Sequence, residues 1–141
     1  KSLKVAGDRM NEDIVKFGAL DAGLTVSYSA MHMAFRCRAS KIILVGQDLA
    51  YTDCRSHAFE RLPWSVAEGR ECMVVRDING NMTVTDKRMV RHAQLLAGAA
   101  FWCERFGIPV YNSSGEGILN LGYGRNHPLQ EALTAKKEDA A

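Results

Sequence analysis

Polar side chains follow two apolar runs of this chain, at the points where each run ends. Gln47 and Asp48 come directly after the first run, and Asn112 and Ser113 end the second. A carboxylate with neighbouring amide and hydroxyl groups can accept a proton, orient a substrate or hold a cation. The stretch 23–27 adds a glycine and hydroxyls in front of a helix-like run. Because the free N–H groups of a helix N-terminus attract anions, these segments together suit a phosphate-bearing substrate.

Asp48 is the strongest single candidate, because a carboxylate after a buried strand stands at the mouth of a sheet. It could serve as a general base or a metal ligand there, or it could simply cap the following turn. His57 is a second candidate, although an isolated histidine is more often a surface or loop residue. The candidate binding residues are Gly23, Thr25, Ser27, Gly46, Gln47, Tyr51, Asn112, Ser113 and Gly115. No metal site is predicted.

The spacing of apolar residues predicts the helices and strands that position these candidate residues. The continuous β-branched run 41–46 predicts a strand buried on both faces, as in parallel sheets. Asn79-Gly80 between two β-prone runs predicts a hairpin. The remaining predicted elements are a helix over 25–38 with Thr25 as N-cap, a helix over 86–106 capped by Asp86, and a strand over 108–112. In an open parallel sheet, ligands bind outside the carboxyl ends of the strands, where three of the candidate segments would meet.

Composition limits the class of protein. The chain has 141 residues, 47% hydrophobic and 24% charged, with a net charge of +2, which fits one globular domain and gives no sign of a nucleic-acid or membrane partner. No apolar run approaches the roughly 20 residues of a membrane span, and no signal peptide opens the chain. Four cysteines without metal-ligand spacing indicate reduced thiols and a cytoplasmic protein. We expect one domain over 1–135, a frayed tail over 136–141, and an origin within a longer protein.

Several short sequence motifs of this chain are similar to motifs of one protein family. Residues 41–52 read KIILVGQDLAYT and are followed by Ser56-His57-Ala58, which resembles the strand, loop and triplet of the motility accessory factor (flagellin glycosyltransferase) family. The stretches 23–27, 77–86 and 112–117 resemble that family's glycine turn, hairpin and asparagine loop. Leu24 stands where the family has a second glycine.

This resemblance implies an α/β fold with a Rossmann-like, mostly parallel sheet flanked by helices and an inserted β-hairpin. Whether the chain is a complete domain of this type is left open. It implies transfer of a sialic-acid-like sugar from a CMP-linked donor to a protein hydroxyl, for example on flagellin. In that reaction Asp48 would act as base or orienting carboxylate, with His57 and Asn112 near the leaving nucleotide. No cofactor is firmly implied.

Two alternatives stay open. A sister branch of the same superfamily resembles 6-hydroxymethylpterin diphosphokinases, which would use ATP and magnesium, with Asp48 and Asp53 as a carboxylate pair. The third hypothesis is a non-catalytic binding or assembly module of the same fold, which would form a stable oligomer. A homo-oligomer is therefore also left open.

Overall fold

The computed structural model describes residues 25–51, 55–57, 60–61, 71–122 and 125–135, with the backbone alone for 55–57 and 60–61. In chain order the elements are α1 (Val26–Arg36), β1 (Ile42–Leu44), β2 (Arg55–His57), β3 (Glu60–Arg61), β4 (Cys72–Arg76), β5 (Met82–Asp86), α2 (Lys87–Arg105), β6 (Val110–Asn112) and α3 (Leu129–Thr134). In these ranges no helix is long and apolar enough to cross a membrane.

Both predicted helices begin where their capping residues indicate. The Thr25 hydroxyl oxygen accepts from the Tyr28 amide over 3.2 Å, and α1 begins at the next residue. The Asp86 carboxylate accepts from the first amides of α2 over 2.8 and 2.9 Å. These bonds satisfy N–H groups that have no helical carbonyl partner. At its other end, α2 stops before Gly107, whose φ of +76° suits glycine.

Among the described residues the parallel sheet has two strands. β1 and β6 pair in parallel, with Ile42 opposite Val110 and Leu44 opposite Asn112, and both strands are shorter than the predicted runs. The other strand pairs described, β2–β3 and β4–β5, are antiparallel. The described ranges therefore form a mixed α/β fold with one small parallel sheet, and the larger Rossmann-like sheet stays a prediction. The predicted hairpin is present as β4–β5, and in chain order it lies between the two parallel strands, β1 and β6.

One face of the parallel pair carries the core. Buried side chains recur along α2 at intervals of three and four residues, which turns one stripe of the helix inward. They pack with Met31 of α1 and with the alternate, inward-facing residues of β1 and β6. The buried cluster consists of Met31, Ile42, Leu44, Ala93, Leu96, Ala100, Cys103, Ile108, Val110 and Leu119. Since this packing fixes both strands, it also fixes the loops that leave their carboxyl ends.

α3 is a six-residue helix for which the sequence gives no clear pattern. The Lys41 ammonium donates to the carbonyls of Ala132, Leu133 and Ala135 over 3.1, 2.7 and 2.9 Å. A cation at this position satisfies the unpaired carbonyls of a helix end and matches the helix dipole. The helix is thus held beside β1 by a residue far away in the sequence.

Candidate functional site

The loops that follow β1 and β6 are hydrogen-bonded to each other. The Gln47 amide donates to Ser114 Oγ over 2.8 Å, and the Ile118 amide donates to the Asp48 carbonyl over 2.7 Å. The parallel pairing brings these loops to the same edge of the sheet, as the sequence analysis expects of parallel strands. The two loops therefore form one surface.

The N-terminus of α1 joins this surface. The Ser27 hydroxyl donates to Gln47 Oε1 over 2.7 Å, and Thr25 is the N-cap of the same helix. The first turn of a helix presents N–H groups and the positive end of its dipole. The structure thus places parts of all three candidate segments in contact.

Asp48 has the most unusual environment in this group. Its Oδ1 atom is buried and has no hydrogen-bond partner among the described residues. Burial raises the pKa of the Asp48 carboxyl above its ordinary value, because the charged form is poorly solvated there. A carboxylate with a raised pKa is a stronger base than an exposed one, and its Oδ1 retains unused capacity to accept a hydrogen bond.

Gly117 accounts for the close approach of the second loop to Asp48. Its φ is +95°, and a Cβ added there would lie 2.1 Å from the carbonyl oxygen and 2.4 Å from the Cα of Asp48. No side chain fits at that distance, so only glycine permits this contact. The loop after β6 thus packs backbone to backbone on the residue that carries the candidate base.

Asn112 and Ser113 differ in what their side chains do. The Asn112 side-chain nitrogen, Nδ2, donates to the Leu119 carbonyl over 2.7 Å, while its Oδ1 accepts from the Ser114 hydroxyl over 2.7 Å. These bonds use Asn112 to shape the loop. Ser113 Oγ, by contrast, is buried without a hydrogen-bond partner within the described ranges. A buried unpaired hydroxyl is destabilising unless a ligand or water satisfies it.

Tyr51 ties the first loop to the hairpin. Its amide donates to the Val84 carbonyl over 2.7 Å, and its hydroxyl donates to Asp86 Oδ2 over 2.7 Å. The side chain is 4% exposed, so its hydroxyl serves the protein interior. The binding role of Tyr51 stays a prediction, and in the described structure this residue anchors the loop after β1.

Two of the three glycines predicted for the site, Gly46 and Gly115, have φ of +66° and +83°, and a Cβ added at either meets no atom within 4 Å. Gly23 and Asp53 lie outside the described residues. His57 is described only as part of the backbone of β2, so its position relative to Asp48 stays a prediction. Within the described ranges no group of three His, Cys, Asp or Glu side chains could hold a metal ion.

Three residues important to this geometry were not among the candidates: Ser114, which links both loops, Gly117, and Asn79 of the hairpin turn. The Asn79 side-chain amide donates to the Gly115 carbonyl over 2.8 Å. The sequence contains a signal for the turn itself. It contains none for the carbonyl that the turn contacts, since backbone acceptors are the same in every residue.

Fold and site together define a mixed α/β protein with a polar surface at the carboxyl edge of a parallel strand pair. Compared with protein-family models, curated proteins and solved structures, the chain gives no significant match. Membership of the motility accessory factor family is therefore a hypothesis that rests on the short motifs of the sequence.

Proposed function

We propose that this chain is a nucleotide-sugar-dependent transferase domain, which moves a sialic-acid-like sugar from a CMP-linked donor to a protein hydroxyl. The observation that carries the proposal is Asp48, a partly buried carboxylate whose Oδ1 has no partner in the described structure. It lies where the loops after two parallel strands meet. The GQDLAYT motif around it supports the same assignment, as does a parallel strand pair that could belong to a Rossmann-like sheet.

Asp48 would act as the general base on the acceptor hydroxyl. The attacking oxygen becomes a better nucleophile as its proton passes to the Asp48 carboxylate. A pKa raised by burial favours this transfer, because the carboxylate then holds the proton more strongly. A neutral amide in the same place could not accept it.

The donor phosphate would lie at the N-terminus of α1. Thr25 and Ser27 belong to the first turn, and Ser27 is hydrogen-bonded to Gln47 of the next segment. Neutral N–H donors and the helix dipole stabilise an anion that gains charge as the bond to the sugar breaks. Gly23 and His57 are proposed to complete this part of the site.

The first experiment separates binding from chemistry. We expect CMP to raise the melting temperature of the purified chain without magnesium, because a ligand that binds only the native state stabilises it. Asp48→Asn should keep the CMP-induced shift and lower the transfer rate by about 10²- to 10⁴-fold. Glu116→Gln is the matched control, since it removes an exposed carboxylate from the adjoining loop and should leave both properties unchanged.

Other outcomes would reject the proposal in defined ways. Full transfer activity of Asp48→Asn would remove Asp48 from the chemistry. A shift with ATP only in the presence of magnesium would favour the diphosphokinase alternative. A stable oligomer that responds to no nucleotide would favour the assembly module.

A further inference from the structure

The hairpin turn between β4 and β5 is internally fixed. Asp77 Oδ1 accepts from the amides of Asn79 and Asn81 over 2.9 and 2.7 Å. Gly80 has a φ of +86°, and its amide donates to the Asp77 carbonyl over 3.0 Å. Such side-chain-to-backbone bonds make the turn a defined shape rather than a variable one.

The tip of this turn contacts the loop after β6. The Ile78 amide donates to the Gly117 carbonyl over 2.9 Å, and the Asn79 side-chain amide donates to the Gly115 carbonyl over 2.8 Å. Both acceptors belong to the loop that packs on Asp48. The turn is already closed by its own hydrogen bonds. The two further bonds therefore connect the hairpin tip to the candidate site.

The base of the same hairpin contacts the loop after β1. The Thr85 hydroxyl donates to the Leu49 carbonyl over 2.8 Å, and the Val84 carbonyl accepts from the Tyr51 amide. Thr85 is fully buried. One hairpin therefore contacts both of the loops that form the candidate site.

We propose that the β4–β5 hairpin is a positioning element of this site, in which Asn79 holds the loop after β6 against the backbone of Asp48. The proposal rests on the proposed function for its chemical meaning. Its structural content does not depend on the identity of the ligand. Loss of the Asn79 side-chain bond should loosen the loop at Gly115, and the contact of Gly117 with Asp48 should loosen with it.

Movement of the loop after β6 would be transmitted to the backbone of Asp48. Because the approach of Gly117 to Asp48 leaves no room for a side chain, a small tilt of the loop changes the position of the Asp48 main chain. The same tilt strains the bond from the Ile118 amide to the Asp48 carbonyl. The exchange of the Ile118 amide hydrogen with solvent reports this opening directly.

The test compares two alanine substitutions in one turn of the intact chain. Asn79→Ala removes the donor to Gly115, whereas Asn81→Ala removes an exposed side chain for which the described structure shows no hydrogen bond. We expect Asn79→Ala to speed exchange of the Ile118 amide about five- to tenfold, the effect of losing one ordinary hydrogen bond. The amide of Leu96 in the core should exchange at the wild-type rate, and Asn81→Ala should change neither amide.

A second measurement distinguishes positioning from general stability. In carbon-13 spectra of labelled aspartate, the Asp48 titration should move toward that of an exposed carboxyl in Asn79→Ala and stay unchanged in Asn81→Ala. Equal exchange rates in the two variants, or acceleration at Leu96 as large as at Ile118, would overturn the positioning role. If CMP does not bind the wild-type chain, the proposed function fails, but the exchange result still decides the role of the hairpin.

Discussion

Replacing Gly117 with alanine tests the central contact of the site. The new Cβ would lie 2.1 Å from the Asp48 carbonyl oxygen, whereas ordinary contacts begin at 3.4 Å. The two backbones would have to separate by roughly 1 Å, which breaks the 2.7 Å bond from the Ile118 amide. The lost bond contributes about 1 kcal/mol and the positive φ of alanine costs about 1–2 kcal/mol. We expect the free energy of unfolding to fall by about 2–3 kcal/mol.

Gly115→Ala is the matched control for this prediction. Gly115 also has a positive φ, but a Cβ there meets nothing within 4 Å, so only the backbone strain of about 1–2 kcal/mol applies. Urea denaturation of both variants gives the two free energies of unfolding, with an unchanged slope as evidence that the denatured states are alike. If both variants lose the same stability, Gly117 is not in close contact with Asp48 and the account of the site is wrong.

Three further changes have directions that follow from single interactions. Lys41→Met should destabilise the chain by about 1–2 kcal/mol and speed hydrogen exchange first in α3, whose terminal carbonyls the ammonium holds. Thr85→Val should cost about 1–2 kcal/mol in urea denaturation, because it leaves a loop carbonyl without its donor; Thr83→Val, which has no side-chain hydrogen bond in the described structure, is the control. Burial acts to raise the pKa of Asp86, but hydrogen bonds from α2 amides and the Tyr51 hydroxyl outweigh it and lower that pKa. Stability from Asp86 is therefore complete above its ordinary value of about 4 and lost as the pH falls below it, and Asp86→Asn should flatten this acid limb of the melting curve.

The elements that sequence predicts well are those specified by neighbouring residues. Asp86 is followed by a long amphipathic run, and the structure starts α2 at the residue after it. Asn79-Gly80 sets a turn that needs a positive φ at Gly80. α3 escaped prediction because it has six residues and depends on Lys41, which is remote in sequence. A helix this short has little stability of its own, so its local pattern is weak.

The site divides in the same way. The position of Asp48 at a strand end follows from the β-branched run before it, since parallel strands direct their carboxyl ends to one edge. Its desolvation could not be predicted, because burial depends on tertiary packing that the residues next to Asp48 do not specify. Tyr51 was predicted to contact ligand, but its hydroxyl donates to Asp86 instead. Sequence motifs indicate which residues are candidates for a site, but they do not indicate which hydrogen-bond partners those residues have in the folded chain.

The surroundings of Asp48 are unfavourable for the stability of the native state, and under the proposed function they serve the chemistry instead. A carboxylate with a buried, unpaired oxygen lowers the stability of the native state, and an uncharged residue of the same shape would be tolerated better. Because burial raises the pKa of Asp48, its contribution to stability is most favourable below the unfolded pKa and is lost as the pH rises through the folded value. Asp48→Asn should therefore melt at a higher temperature than the wild type at pH 7, with a smaller difference at acid pH, while transfer is lost. Under the proposed function, replacing Asp48 stabilises the native state and slows the reaction, so the hairpin, Gly117 and Ile118 would hold this residue in place at a cost in stability.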